Sequence, residues 1–157
     1  MGWGKSPGFN FRRAFDMSDA LTPPVINKLQ AYLRKAFGSQ ALSVRARPKK
    51  SDEADVFAND KPFGVITLDD EDGELTYQFG WTLKEKPKPL LPVEMVRIQT
   101  ILREQLGAKT LSIRGRGKLK DSAEVFVAEE SLAIMSIDDD AYQFQMAILE
   151  MDLDGIM

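Results

Sequence analysis

The chain has 157 residues, of which 43% are hydrophobic and 29% charged, and its net charge is −3. This composition is typical of a globular protein. The chain contains no cysteine and no histidine, which excludes disulfides, catalytic triads, Cys–His dyads and nearly all zinc sites. We therefore predict a protein that is not an enzyme and uses no cofactor. We expect neither a transmembrane helix nor a secretory signal, and the lack of cysteine indicates a cytoplasmic protein.

The chain repeats itself at a spacing of about 69 residues. Identical residues occupy matched positions: Pro23 and Pro92, Gln30 and Gln99, Leu33-Arg34 and Leu102-Arg103, Gly38 and Gly107, Arg45 and Arg114, Arg47 and Arg116, Phe57 and Phe126, and, after a short deletion, Tyr77 and Tyr142. We divide the chain into an N-terminal extension (1–18), a first repeat (19–83), a linker (84–90) and a second repeat (91–157).

The N-terminal extension is rich in aromatic residues. It carries Phe9, Phe11 and Phe15, with Arg12 and Arg13 between them. Two interpretations stay open. The phenylalanines pack against the body of the protein, or they present aromatic anchors to a partner.

Each repeat opens with a predicted amphipathic helix. In the first, Thr22 and Pro23 mark the start and Gly38 marks the stop. One face is apolar, with Ile26, Leu29, Leu33 and Phe37. The second helix repeats the stripe with Met95, Ile98, Ile101, Leu102 and Leu106, and it closes at Gly107. A single stripe indicates that one face of each helix packs on a sheet.

About four strands follow each helix. Alternating or apolar runs predict strands at 42–44, 54–58, 63–68 and 75–83, and at 111–113, 123–127, 132–137 and 142–148. Asp, Glu, Asn, Gly and Pro between these runs favour tight antiparallel connections. A single repeat of this size has a thin core. We predict an α+β fold in which the two copies hide their remaining apolar surface against each other, as a pseudo-twofold fused dimer.

The first strand of each repeat continues into basic residues. These candidate binding residues are Arg45, Arg47 and Lys49, repeated as Arg114, Arg116 and Lys118. Alternation places the arginines of each copy on one strand face, and pseudo-symmetry brings the two stripes together, where they could grip a phosphate backbone or an acidic partner. In the alternative interpretation they pair across strands with acids such as Asp55 and Glu124.

Two further groups of residues have competing interpretations. The carboxylates at 69–72 and 138–140 could bind Ca²⁺ or Mg²⁺, but their spacing does not match an EF-hand, and solvated hairpin turns explain them more simply. The aromatic residues of the last strands either form the core of the sheet or line a ligand pocket between the copies. They are Tyr77, Phe79, Trp81, Tyr142 and Phe144.

The strings LQAYLRKAFG (29–38), RARPKK (45–50), AEVFVAEE (123–130) and YQFQMAILEMDL (142–153) resemble a known family. It comprises small single-unit domains of alphaproteobacteria whose function is unknown, each with a helix before a short antiparallel sheet. The resemblance covers residues 20–83 and 91–154. It implies a bacterial, cytoplasmic protein and brings no catalytic residues with it. This chain differs in being duplicated and in carrying the N-terminal extension.

Two functions remain for this duplicated module. The first is a non-enzymatic interaction or scaffold protein that binds a protein partner or self-associates. The second is binding of nucleic acid or another polyanion through the twin basic strands, against which the net acidity of the chain counts. A carboxylate-dependent enzyme ranks third. We expect no membrane partner.

Overall fold

The structure is a computed structural model that describes residues 20–71 and 73–156. In the first repeat the elements are α1 (Pro23–Phe37), β1 (Leu42–Arg47), β2 (Lys50–Ala58), β3 (Lys61–Asp69) and β4 (Thr76–Leu83). In the second they are α2 (Pro92–Leu106), β5 (Leu111–Gly115), β6 (Ser122–Val127), β7 (Glu130–Ile137), β8 (Tyr142–Leu149) and α3 (Glu150–Asp154). The predicted α+β duplication is confirmed.

The strands form one antiparallel sheet that runs through both repeats. Its order is β1-β2-β3-β4-β8-β7-β6-β5, so the copies join edge to edge through β4 and β8. In that junction Gly80 lies opposite Gln145, and Trp81 lies opposite Phe144. Gly80 and Gln145 are themselves matched positions of the two repeats. The register of the junction is therefore symmetric under exchange of the copies.

Helices cover one face of this sheet. In α1 the proline at the first position and a left-handed Gly38 (φ 63°) delimit the helix, although the Thr22 side chain makes no capping hydrogen bond. The predicted stripe of α1 is buried, and in α2 Ile98, Leu102 and Leu106 are buried in the same way. Both stripes pack on alternate residues of the strands and form a single core shared by the two repeats.

Aromatic residues hold the core together at the junction. The rings of Trp81 and Phe144 stack with centroids 5.1 Å apart and an interplanar angle of 3°. Phe37 and Phe79 meet edge to face at 6.5 Å. Tyr77 and Tyr142 are also buried, so the prediction that these strands supply the core is confirmed.

Candidate functional site

Within residues 20–71 and 73–156, no helix or strand covers the face of the sheet opposite α1 and α2, and we call it the open face. At one end of this face the four central strands carry Asp69, Thr76 and Leu149. The middle part of these strands carries Val65, Thr67, Gln78, Gly80, Thr82, Ile134, Ser136, Gln143, Gln145 and Ala147. None of these residues is charged, although 29% of the chain is. We call them the uncharged platform. A shallow depression of about 350 Å³ lies at its centre.

Side-chain hydrogen bonds cross the platform between the two repeats. Thr82 Oγ1 donates to Gln143 Oε1 at 2.8 Å, and Gln145 Nε2 donates to Gln78 Oε1 at 3.4 Å. Each glutamine amide has two N–H donors and an oxygen with two lone pairs. Gln78 Nε2 also donates to Thr76 Oγ1 at 3.3 Å, and Gln143 Nε2 donates to Asp138 Oδ2 at 2.8 Å. Each amide keeps a second N–H donor and further acceptor capacity that a bound surface can use.

One row of residues crosses the sheet from edge to edge through the platform. Each member lies opposite the next on the neighbouring strand, in the order Arg45, Asp55, Val65, Gly80, Gln145, Ile134, Glu124 and Arg114. From either end the order is arginine, carboxylate, aliphatic residue. The platform thus has matching borders on both sides.

An arginine stacked on a phenylalanine ends the row at each edge. The guanidinium carbon of Arg45 lies 4.0 Å from the centre of the Phe57 ring, and that of Arg114 lies 4.2 Å from the centre of the Phe126 ring. Stacking of this kind is attractive and fixes the plane of the guanidinium. Both arginines remain exposed and present N–H groups at the border of the platform.

A turn carboxylate pairs with each of these arginines. Arg45 binds Asp60 and Arg114 binds Glu129, each at 2.6 Å. Both carboxylates lie in tight hairpin turns with left-handed backbone, φ 64° at Asp60 and φ 71° at Glu129. The hydrogen bond and charge of Arg114 lower the pKa of Glu129. The pairs are solvent-exposed and therefore weak, so a partner's carboxylate could replace Asp60 or Glu129.

The remaining basic residues are distributed differently from our expectation. Arg47 pairs with Asp55 at 2.8 Å and also with Glu53, so the predicted cross-strand pairing holds in the first repeat. Arg116 lies beyond the end of β5 and donates to Ser122 Oγ at 3.0 Å. Lys49 and Lys118 lie in the turns that follow β1 and β5.

The expectation that symmetry brings the two basic stripes together is wrong. β1 and β5 are the two outer strands of the sheet. At ~4.8 Å per strand, seven strand spacings separate them by about 34 Å. In the second repeat Arg114 pairs with Glu129, while Glu124 accepts a hydrogen bond from Ser131 at 2.7 Å. Alternation alone could not reveal this, because strand order is set by long-range pairing.

The outer strands carry caps on their exposed backbone. Gln30 Oε1 accepts from the N–H of Val44 at 3.0 Å, and Arg34 Nε donates to the carbonyl of Leu42 at 2.7 Å. The second repeat has the same caps. Gln99 Oε1 accepts from the N–H of Ile113 at 3.0 Å, and Arg103 Nε donates to the carbonyl of Leu111 at 2.6 Å. An open strand edge invites pairing with another chain. The repeated glutamine and arginine thus protect these edges, and the open face remains the accessible part of the sheet.

A buried polar cluster that the sequence analysis missed joins the linker, α2 and β8. Glu94 is 7% exposed. Its carboxylate accepts hydrogen bonds from Arg97, at 2.9 and 2.7 Å, and from the hydroxyl of Tyr142. Tyr142 accepts in turn from the backbone N–H of Lys88 at 2.9 Å, and Arg97 also binds Glu85 at 2.5 Å. The cluster fastens the linker to the second repeat.

Hydrogen bonding decides the charge state of this cluster. The Arg97 hydrogen bonds, reinforced by that of Tyr142, lower the pKa of Glu94 to about 2 against the effect of burial. Burial and the neighbouring Glu94 raise the pKa of Tyr142. One signal in the sequence could have identified the cluster. Glu94 takes the position that Val25 holds in the first repeat.

The acidic turns fold as hairpin turns. Asp138 Oδ1 accepts from the backbone N–H groups of Asp140 and Ala141, at 2.9 and 2.8 Å, and Asp69 accepts likewise from Glu71 at 3.0 Å. Within residues 20–71 and 73–156 no cluster of carboxylates could hold a metal ion. Across the same ranges no helix has the length and apolar character needed to span a membrane. The predicted anchors Phe9, Phe11 and Phe15 lie outside the described residues.

The chain is a tandem α+β module with an open sheet face. It belongs to the family described as "Protein of unknown function (DUF3126)", whose model matches twice, at residues 26–85 and 94–152. The two matches coincide with the two repeats, and the resemblance to a family of unknown function is confirmed. No curated protein and no solved structure matches the chain.

Proposed function

We propose that this protein is a non-enzymatic protein-interaction module whose binding surface is the uncharged platform. One observation carries the proposal. Ten neighbouring residues in the middle of an open sheet face carry no charge, in a chain rich in charged residues. The centres of protein–protein interfaces are depleted of charged residues, whereas their rims are polar. The arginine–carboxylate pairs supply such a rim on both sides.

The dimensions of the face support the same function. Across the platform and both of its charged borders, seven strand spacings of ~4.8 Å and six residues of ~3.3 Å give about 34 by 20 Å, or roughly 700 Å². A stable interface of standard size buries ~800 Å² on each partner. The partner that fits is a flat protein surface with an uncharged, hydrogen-bonding centre. Carboxylates at its periphery would meet Arg45 and Arg114.

Crosslinking tests the proposal directly. A photo-crosslinking amino acid at Gln145, in the full chain expressed in its native host, is expected to join the platform to a partner protein. The matched control carries the same group at Thr100, which is exposed on α2, and should not capture that partner. The double variant Ile134→Glu, Ala147→Glu should abolish the crosslink without changing thermal unfolding, because both side chains are exposed. Capture of the same partner at Thr100, or no capture at Gln145, would refute the proposal.

Polyanion binding remains the second candidate of the sequence analysis, and it has its own test. The test variant has Arg45, Arg47, Arg114 and Arg116 changed to glutamine. It should still bind a protein partner, because the platform that contacts the centre of the partner is unchanged. Salt-sensitive binding of single- or double-stranded oligonucleotides that disappears in this variant would replace the protein-binding proposal. We expect no oligonucleotide binding, because the chain is acidic overall and its two basic strands lie at opposite edges of the sheet.

Cellular location belongs to the proposal as well. We propose a bacterial, cytoplasmic protein without a membrane partner. The absence of cysteine and the family resemblance support this. Fractionation of native cells, followed by detection of the full chain, tests it. Recovery in the membrane pellet would contradict it.

A further inference from the structure

A second surface, distinct from the platform, lies at the start of α2. Four large apolar side chains are exposed there: Leu91 (48%), Val93 (83%), Val96 (59%) and Leu119 (51%). The backbone N–H of Leu90 donates to the carbonyl of Lys120 at 2.8 Å, which holds the loop with Leu119 beside the start of the helix. We call these four residues the α2 apolar patch.

The first repeat provides an internal control for this patch. At the matched positions it carries Thr22, Pro24, Asn27 and Lys50. Yet α1 and α2 have the same length, both begin with proline, and both end at a left-handed glycine. The fold is therefore built with polar residues at three of these positions and proline at the fourth. Folding does not explain the patch, whereas a contact with another molecule does.

The surroundings of the patch define the chemistry of that molecule. Lysines flank its residues along the chain: Lys88 in the linker, and Lys118 and Lys120 in the loop after β5, all of them exposed. An apolar surface framed by lysines fits a segment that combines apolar side chains with carboxylates.

Such a segment is present at the end of this chain. On and before α3, Met151 is 70% exposed and Leu149 is 40% exposed, and the same short stretch carries Glu150, Asp152 and Asp154. The matched stretch of the first repeat has Lys84 and Lys86 in place of Leu149 and Met151. The tail, like the patch, is a feature of the second repeat only.

The two features cannot meet within one molecule. Tyr142, at the start of β8, binds Glu94 near the start of α2, whereas α3 follows Leu149 at the other end of that strand. At ~3.4 Å per residue, the seven residue steps between them span about 24 Å. The α3 segment instead packs beside α1.

We propose that the α2 apolar patch of one molecule binds the α3 segment of a second copy of this chain. The contact joins two different surfaces, so it is head-to-tail and produces open chains or rings of molecules. Apolar burial by the flexible Met151 side chain supplies attraction, and the carboxylates of the tail face the lysines around the patch. The contact uses Leu149 at one end of the open face but none of the platform residues, so each linked copy keeps the platform free for a partner.

Sedimentation of the full chain over a range of concentrations tests this contact. The wild type is expected to form species larger than a monomer as concentration rises, and less so at high salt. The patch variant Leu91→Thr, Val96→Asn introduces residues that the first repeat already carries. It should stay monomeric and fold normally. The tail variant Met151→Lys should also stay monomeric.

Mixing the two variants gives the decisive result. The patch variant keeps an intact tail and the tail variant keeps an intact patch, so an equimolar mixture should form a dimer and nothing larger. Glu104→Gln, on the exposed end of α2, is the matched control and should associate like the wild type. The platform variant Ile134→Glu, Ala147→Glu should also associate normally, which separates this contact from the proposed function.

Three outcomes would overturn the proposal. The wild type could stay monomeric at every concentration, or the mixed variants could fail to pair. Alternatively, the patch could bind vesicles of anionic lipid in the absence of self-association, with loss of binding in the patch variant. That result would assign the patch to a lipid surface.

Discussion

Gly64 lies directly opposite Trp81 on the neighbouring strand, and no room remains between them for a larger side chain. A Cβ atom at Gly64 would lie 2.6 Å from the carbonyl oxygen of Gly80 and 2.8 Å from Cε1 of Phe79. The matched residues of the second repeat are Ala133 and Met146. The first repeat thus combines glycine at position 64 with the large indole of Trp81. The second repeat combines alanine at position 133 with the smaller side chain of Met146.

Gly64→Ala is predicted to destabilise the protein by about 1–3 kcal/mol, because the new methyl group overlaps backbone that cannot easily move. Gly80→Ala is the matched control. A Cβ there meets nothing closer than the carbonyl oxygen of Phe144 at 3.7 Å, so stability should change little. Urea denaturation of both variants measures the difference. Equal stability of the two variants would contradict the steric argument.

The Glu94 cluster predicts a pH dependence of stability. Because the pKa of Glu94 is about 2 in the folded protein, against an ordinary value near 4.5, its ionised form stabilises the fold. That contribution is complete above about pH 4.5 and is lost as the pH falls toward 2. Arg97 is 39% exposed, so solvent screening limits the contribution to roughly 1–2 kcal/mol.

Comparison with Glu94→Gln isolates this effect. The free energy of unfolding should be higher for the wild type at neutral pH, and the difference should shrink as the pH falls from about 5 to 2. Glu104→Gln, at an exposed position on the same helix, should show no such trend. A difference that is constant with pH would mean that the charge of Glu94 contributes nothing.

The backbone caps of the outer strands predict a change in association. The variant Gln30→Ala, Arg34→Ala leaves the N–H of Val44 and the carbonyl of Leu42 without side-chain partners. Each lost hydrogen bond should cost about 1 kcal/mol, and the uncapped edge of β1 should favour strand pairing between molecules. Light scattering at rising concentration detects this. Gln105→Ala, exposed at the end of α2, is the control and should scatter like the wild type.

Cutting the chain within the linker tests the shared core. Each half would expose the edge of β4 or β8 and the rings of Trp81 or Phe144. We expect the halves to be unstable as monomers and to recombine into a folded pair when mixed. Because the register of β4 and β8 is symmetric, a half alone is expected to pair with itself. Two stable monomeric halves that do not associate would show that the core is not shared.

Local patterns were enough to predict the units of this fold. The stripe from Ile26 to Phe37 and the alternation around Phe79 depend on residues a few positions apart, and the structure confirms both. The duplication was visible because matched residues such as Gln30 and Gln99 serve identical roles in the two copies. Their role itself, capping the outer strands, was not visible, since it depends on which strand becomes an edge.

The sequence by itself determined the repeated unit, its helix and strands, its core residues and the family. Only the tertiary structure decided that β4 pairs with β8, that the centre of one sheet face carries no charged residue, and that Arg45 and Arg114 end about 34 Å apart. The physical reason is the range of the interactions. Alternation shows that a strand has two different faces, but the order of strands and the face that the helices cover arise from contacts between residues far apart in the chain. Glu94 shows the same limit, because its partner Tyr142 lies 48 residues away.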